Sequence, residues 1–418
     1  MSDQSEDAVR AEVCAWLEAH WSPDLGLRQW RELLADSGWG CPTWPRQWFG
    51  RGLSAAQAEI VREEFRRAGA VGPAEGSGMG LAAPTLLEHG SGELKRRLLR
   101  RILTGEDTWC QLFSEPGGGS DLAGLTTRAD RDGDEWVING QKVWTTSAHH
   151  ARYGMLVART NWDVSKHHGI TYFAIEMNQP GVVVRPLRQM NGHASFNEVF
   201  LTDARVPAAN VIGEVDRGWT VALATLAHER RLAGSMGRAV AGSGRTLDEY
   251  RREVAEVMAP YTWYPQRAGR VDLVLQRARA TGRDADPIVR QAIAHLIAIT
   301  RAAEWTARRA QASRVLGRPP GPEGSIAKLC SSHIARAAAH VHTLIAGADA
   351  MLAGTDAPLD GIIAEILLSV PAQSIAGGTD EIQRNIIGER VLGLPREPAE
   401  DVGRPFREVP RNALPSRS

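Results

Sequence analysis

A multidomain α+β chain, helical at both ends and β-rich between, follows from three features of the sequence. Apolar residues recur at helical spacing up to about residue 108. Short alternating runs bounded by Gly, Pro and Asn then fill 109–212. Helical spacing returns from Gly218 onward. A chain of 418 residues fits about two to three domains. The boundaries are set at 1–108, 109–212 and 213–396, followed by an extended Pro/Arg-rich tail over 397–418.

The first domain opens with Ala8-Val9, Val13 and Trp16-Leu17 on one helical face. Ser37 to Pro45 is turn-rich and interrupts it. A helix over Leu53–Ala68 follows, with Ser54 as its N-cap. Gly69–Gly80 reads as a loop, and Glu93–Leu103 as a helix with an Arg-rich outer face.

In the second domain, Trp136 to Trp144 reads as two short strands around Asn139-Gly140. That dipeptide tolerates positive φ and suits a type I′ turn. Further strands are expected at 153–159, 170–177, 182–186 and 196–201. Their regular spacing suggests a compact β barrel or sandwich and not βαβ units. The third domain carries expected helices at 218–241, 245–258, 268–281, 286–316, 324–352, 360–370 and 379–391, with a hard break at Pro319-Pro320-Gly321-Pro322.

Composition excludes several function classes. Hydrophobic content of 43% and charged content of 23% describe a globular chain. The formal net charge is zero, so no basic field points to nucleic acid. Cys14, Cys41, Cys110 and Cys330 lie far apart, without metal or CxxC spacing, and read as free thiols in a reducing compartment. The acidic start Met1–Asp7 is unlike a secretory signal or an Arg-rich transit peptide. No apolar run looks long enough to span a bilayer, so cytoplasmic residence is expected.

Four segments carry the types of residue that chemistry needs. Ser114 to Asp121 joins a hydroxyl, a carboxylate, Pro116 and three glycines. Such a loop lets backbone N–H groups approach phosphate or carbonyl oxygens, and equally serves as a surface turn. Trp144-Thr145-Thr146 suits an aromatic lid on a flat ring with a hydroxyl donor beside it. An edge aromatic packed on a sheet reads the same. Glu229 falls on a stripe with Trp219, Ala222, Leu226, Ala233 and Val240, and its i−4 and i+4 neighbours, Thr225 and Ala233, offer no ion pair. A carboxylate there loses solvation, its pKa should rise, and proton abstraction at neutral pH becomes accessible. The alternative is a pair with an Arg from another helix. Gly377-Gly378-Thr379-Asp380-Glu381 is a glycine-hinged helix start with Thr379 as N-cap.

Together these segments resemble the acyl-CoA dehydrogenase family over most of the chain. Gln111 to Asp121 is similar to the family's first signature, Val137 to Thr146 to its second, and Gly378 to Asn385 to its C-terminal one. Asn197 to Pro207 is similar to the strand that closes its β domain. The resemblance implies a helical N-terminal domain, a β domain and a C-terminal four-helix bundle, with FAD between the last two. It implies Phe113, Ser114, Trp144, Thr145 and Thr146 at the isoalloxazine, with Thr146 donating to the reactive ring nitrogen. Gly119 and Ser120 would approach the flavin phosphates or the pantetheine. Gly378, Thr379 and Glu381 would approach the cofactor from the C-terminal side, and Arg290 and Gln291 a neighbouring subunit's FAD. Ser120, Arg230 and Arg384 are implied on the substrate side, and no metal is.

The family's reaction is α,β-dehydrogenation of an acyl thioester. Many members place the base just before the C-terminal Gly-Thr, where this chain has Gly377. A minority carry it on the helix opening the bundle, followed by Arg, and Glu229-Arg230 matches that pattern. Glu229 is therefore the expected base. Two departures stand out: no Arg-Phe pair occurs around Arg277 to Gln291, and Gly242 to Arg270 is longer than usual. The longer segment, with Tyr261-Thr262-Trp263-Tyr264-Pro265, is expected to pad a subunit interface or to shape an acyl pocket. Expected partners are an acyl thioester, an electron acceptor such as an electron-transfer flavoprotein, and further copies in a dimer, tetramer or mixed tetramer. No nucleic acid or membrane is expected. Two rival readings are a non-catalytic partner subunit of a mixed tetramer and a flavin oxidase or monooxygenase on the same scaffold.

Overall fold

A computed structural model describes residues 5–232, 240–315, 321, 323–396, 398, 401 and 403–410. They form two compact units. The first contains the described residues up to Leu187, then Ser195–Pro260, and those from Asp401 on. The second contains Arg188–Ala194 and the described residues from Tyr261 up to Asp401.

The first unit begins with α1 (Glu6–His20), α2 (Leu27–Ser37), α3 (Ala55–Ala68), α4 (Ala83–His89) and α5 (Gly92–Thr104). Ser54 caps α3 as expected. Its hydroxyl accepts from the Gln57 N–H while the Gln57 side chain accepts from the Ser54 N–H, so two helix-end donors are satisfied at once. The expected loop over 69–80 is shorter than read, because a π-turn over Gly78–Ala82 leads straight into α4. α5 buries Leu94, Leu98, Leu99, Ile102 and Leu103 along one face, and Arg96 and Arg97 stay exposed.

The seven strands are β1 (Trp109–Leu112), β2 (Arg128–Asp132), β3 (Glu135–Thr146), β4 (Tyr153–Arg159), β5 (Ile170–Glu176), β6 (Val182–Leu187) and β7 (Phe196–Pro207). They form one sheet in the order β1-β4-β2-β3-β7-β6, with β5 beside β4. β1 runs parallel to β4, and most other pairings are antiparallel. Alternation divides the side chains between two cores. Trp109, Phe113, Met155, Val157 and Tyr172 face the helices, while Cys110, Leu112, Leu156, Phe173 and Val199 meet one another on the inside of the curled sheet.

The expected hairpin at Asn139-Gly140 is corrected. β3 is continuous through both residues, and the turn lies at Gly133-Asp134, since Asp132 pairs with Glu135. Asn139-Gly140 instead marks a register shift against β7. The Asn139 side chain crosses to Asp203, donating to its carboxylate at 3.0 Å and accepting from its N–H at 2.9 Å. Gly140 is required by packing, because an added Cβ would stand 2.5 Å from Thr127 Oγ1 and 2.8 Å from Thr127 Cα. Gly140→Ala is expected to cost about 1–3 kcal/mol, measurable as a lowered thermal midpoint.

Two later helices also belong to this unit, α6 (Gly218–Leu232) and α7 (Arg245–Met258). Gly218 lets α6 start against β5, where a Cβ would lie 2.5 Å from the Tyr172 nitrogen. α6 is described as far as Leu232, and the expected continuation through 233–239 lies outside the described residues. Val240 has left the helix and packs in the N-terminal core. α7 inserts Leu247 and Tyr250 among Trp30, Leu34 and Phe65. Glu253 pairs with the buried Arg31, and Glu249 accepts from the Leu27 N–H at 2.7 Å. α7 therefore pads a contact within the first unit, because its apolar stripe finds the N-terminal helices.

The second unit holds α8 (Tyr264–Arg267), α9 (Val271–Ala280), α10 (Pro287–Val315), α11 (Glu323–Ala346), α12 (Ile362–Ser369), α13 (Pro371–Ile375) and α14 (Asp380–Arg390). The helix expected to run to 352 gives way at Gly347 to a 3-10 turn over Gly347–Met351. Val274, Val289, Leu296, Val341 and Ile345 form its main core. His342 is buried between α9 and α11; its Nδ1 accepts from Arg277 at 3.0 Å and its Nε2–H donates to the Arg270 carbonyl at 3.1 Å. Burial pushes its pKa down, which keeps it neutral in that tautomer. The stretch Pro358–Arg390 reaches a mean hydropathy of 1.4. It is divided into three helices at Pro371 and Gly377-Gly378, so none is a membrane-length span.

Candidate active site

The glycine-rich loop of the first unit is anchored at its start. Glu115 and Gly118 exchange backbone hydrogen bonds of 3.0 Å, which makes Pro116-Gly117 a two-residue turn. The buried Glu115 carboxylate accepts from the Thr126 N–H at 2.7 Å, the Thr127 N–H at 2.8 Å and the Thr126 hydroxyl at 2.8 Å. The buried Lys142 ammonium donates to it at 2.9 Å and also to the Phe113 carbonyl. Burial would raise the Glu115 pKa, but the Lys142 charge and these donors outweigh it and hold it at about 2. Beyond the anchor the apex is open. Gly117, Gly119 and Ser120 are exposed, and a Cβ on Gly117 or Gly119 would meet nothing within 4 Å.

Trp144 sits where β3 shifts register a second time, between Lys142 and Thr145. Its φ of 63° lies in the left-handed region, which a bulky residue rarely adopts. The ring is 55% exposed and stands edge-on to Phe196 at 5.7 Å. The bulge leaves Trp144 exposed and Thr146 half-buried, whereas Thr145 is fully buried and its hydroxyl has no partner among the described residues. Asn197 fastens this corner by donating to the Thr145 carbonyl at 3.0 Å.

Glu229 is half-buried at the edge of the α6 face. The buried line of that helix runs through Val221, Ala222, Thr225 and His228, one step round from the stripe read in the sequence. Ala233 and the Arg230 side chain lie outside the described residues. Gln111 Nε2 donates to Glu229 Oε2 at 3.3 Å. One turn earlier, Thr225 Oγ1 lies 2.9 Å from Thr85 Oγ1 and 3.1 Å from the Tyr172 hydroxyl. Burial pushes the Tyr172 pKa well up, so it stays protonated. Its ring meets Phe113 edge-on at 5.8 Å. Next to Glu229, His228 Nε2 lies 3.2 Å from Glu88.

Gln111, Thr85, Tyr172 and His228 were not singled out from the sequence. Gln111 carried a signal: it shares the Trp109–Phe113 face of β1 by period two, and it is the polar member of an apolar face. The contacts of Thr85 and Tyr172 with α6 depend on distant chain segments that periodicity does not reveal.

In the second unit, Thr379 caps α14, its hydroxyl accepting from the Ile382 N–H at 3.3 Å. Gly377 and Gly378 have φ of 69° and 85°, and the Gln383 amide donates to both their carbonyls. Asp380 is buried against Lys328 and Arg336. Glu381 is exposed and pairs with Arg384 at 3.2 Å. Arg290 and Gln291 are exposed on α10.

An open glycine apex, an outward aromatic held by a bulge and a half-buried hydroxyl at Thr146 are compatible with a flat cofactor that carries phosphates.

Family models match three stretches: the acyl-CoA dehydrogenase N-terminal domain over residues 3–106, the middle domain over 110–204 and the C-terminal domain over 266–392. The acyl-CoA dehydrogenase IpdE1 of Mycobacterium tuberculosis is 38% identical over 379 residues, 88% of each chain. Among solved structures, the Tcur3481-Tcur3483 steroid ACAD aligns with a TM-score of 0.64 and 26% identity, covering 94% of this chain and 98% of that one. The ChsE4-ChsE5 complex from Mycobacterium tuberculosis aligns with a TM-score of 0.63 and 29% identity, covering 95% and 99%.

Proposed function

The chain belongs to the acyl-CoA dehydrogenase family, and from that premise we propose that it catalyses FAD-dependent α,β-dehydrogenation of an acyl thioester with Glu229 as the base. One observation carries the assignment. Glu229 is a half-buried carboxylate on α6, oriented by the Gln111 amide and flanked by the neutral Thr85–Thr225–Tyr172 cluster. Position 377, which many relatives use, is a glycine with φ of 69° and has no carboxylate to offer. Gln111 orients the Glu229 carboxylate through Oε2, and that carboxylate would accept the α-proton. FAD, when bound, supplies the acceptor for the β-hydride. Trp144 and Thr146 would border the ring system, and the open backbone of Gly117 to Ser120 would take phosphate or carbonyl oxygens.

The loop separates binding from stability. Gly119→Ala adds a methyl group that meets no protein atom, so its thermal midpoint should match wild type. Its FAD or acyl-CoA affinity should fall by roughly ten-fold, or about 1.4 kcal/mol, measured by fluorescence titration. An unchanged affinity would remove the loop from the site.

The test of the whole reading is spectroscopic. The purified chain should carry bound flavin, and a suitable acyl-CoA should bleach it anaerobically. A colourless chain would favour the rival of a non-catalytic partner subunit. The similar solved structure is a steroid ACAD, so a ring-bearing acyl thioester is the first to try. Exposed apolar side chains in the second unit, including Ile288, Ile297, Trp305, Ile375 and Leu392, support an oligomer. The relative solved as a two-chain complex supports including a mixed one.

A further inference from the structure

We propose that the C-terminal segment around Asp401 and Phe406 is a positioning element for the ligand loop, acting through Lys166 and Arg159 on Asp121–Leu125. This rests on the reading that the glycine-rich loop receives FAD or the acyl thioester.

The tail was expected to be extended, yet it folds back onto the sheet unit. A short 3-10 turn over Phe406–Glu408 buries Phe406 to 1% exposure. The Phe406 N–H donates to the Val164 carbonyl at 2.8 Å, and the Arg407 N–H to the Trp162 carbonyl at 3.0 Å. Trp162 packs on the Phe406 ring at 5.5 Å. The tail therefore grips the loop between β4 and β5.

Two side chains transmit that grip. The first is Arg159, a fully buried guanidinium at the end of β4. It donates to the Ala123 carbonyl at 2.6 Å and the Leu125 carbonyl at 3.2 Å, both just beyond the glycine-rich loop. It also donates to the Lys166 and His168 carbonyls. The Phe406 ring covers the guanidinium face, its centroid 3.5 Å from the central carbon. A buried guanidinium gains from an aromatic face and from exclusion of water. Without Phe406, water would compete for the same N–H groups, and the carbonyls that fix Ala123 and Leu125 would loosen.

The second is Lys166. Its ammonium lies 3.1 Å from Asp121 and 2.5 Å from Asp401, so the tail carboxylate and the last residue of the signature share one cation. Burial weakens this ammonium, but the two carboxylates outweigh burial and hold its pKa above the ordinary lysine value. Two charges drawn to one partially covered cation fix its side chain better than one.

The loop is thus clamped at both ends. Glu115 and Lys142 hold its start, and Arg159 and Lys166 hold its exit; the apex between them stays open. Only the exit clamp depends on the tail. The same β4–β5 loop reaches the first turn of α6, where His167 stands edge-on to Trp219 at 5.2 Å. A shift of the tail would therefore be felt at the ligand loop first and at the start of the Glu229 helix second.

Hydrogen exchange read by mass spectrometry on the full chain, with and without FAD, tests this. The set is wild type, Phe406→Ala, Asp401→Asn, the conservative Phe406→Tyr, and Glu408→Ala, an exposed position, as a tail control. Phe406→Ala and Asp401→Asn should speed exchange of peptides covering 117–125 on the order of ten-fold. Peptides covering β3 and β7 should be unchanged. FAD titration of the same two variants should show about a ten-fold higher Kd, and Phe406→Tyr and Glu408→Ala should match wild type. Unchanged exchange at 117–125, or faster exchange spread evenly through the sheet, would overturn the proposal. If the wild-type chain takes up no FAD, the functional reading fails, and the ligand part of this proposal falls with it regardless of the exchange pattern.

Discussion

Glu229→Gln is expected to slow anaerobic flavin reduction by a good acyl-CoA about 10²–10⁴-fold, the range in which a positioned general base contributes. The substitution keeps the size and the hydrogen bonding of the side chain. The half-buried site on α6 and the contact to Gln111 should persist, and substrate Kd should change little. That pattern, loss of rate with binding retained, separates a base from a residue that merely shapes the pocket. Gln111→Leu should show a smaller loss, because it removes the group that orients Glu229 and leaves the carboxylate itself. Near-normal bleaching by Glu229→Gln would move the base elsewhere in the chain.

Lys142→Met is expected to produce the largest loss of stability. It leaves the buried Glu115 carboxylate without its cation, and breaking a buried pair on one side costs about 3–5 kcal/mol. In a unit of this size that lowers the thermal midpoint by roughly 10 °C. The double variant Glu115→Gln/Lys142→Met should recover part of the loss, because no uncompensated charge remains. The pH dependence follows from the depressed Glu115 pKa. Its folded-state value is about 2 against an ordinary 4.5. Stabilisation by the ionised form is therefore complete above pH 4.5 and disappears as the pH falls toward 2. The advantage of wild type over Glu115→Gln should shrink through that window in chemical denaturation series, and an advantage independent of pH would contradict the ion-pair account.

Elements with strong local periodicity were readable from the chain itself. The strand at 153–159 and the helix at 245–258 stand where the spacing put them. Ser54 and Thr379 cap the helices they were expected to cap. The failures have physical causes. Asn139-Gly140 has the chemistry of a turn, but β7 carries a matching irregularity at Asp203, so the pair is absorbed as a bulge in a continuous strand. Gly133-Asp134, flanked by Asp132, offered an equally apt turn earlier in the chain and made the hairpin. The fate of α7 and of the tail could not be read locally, because Tyr250 and Phe406 are buried by residues far away in the chain. The signatures drew attention to the glycine-rich loop and the Trp144 corner as candidates, whereas the polar neighbours of Glu229 come from three separate segments and needed the fold.

The backbone at Trp144 has a consequence for how this chain would change under selection. A tryptophan held at φ of 63° bears a local conformational cost, of order 1–2 kcal/mol, that glycine would not. The ring recovers little of it inside the protein, being 55% exposed. A screen for thermal resistance alone should therefore favour Gly or Asn at position 144 and lose the aromatic surface. A screen for turnover should keep Trp144 in spite of that cost. On the role proposed for Trp144, heat tolerance and ligand handling pull the sequence in opposite directions there.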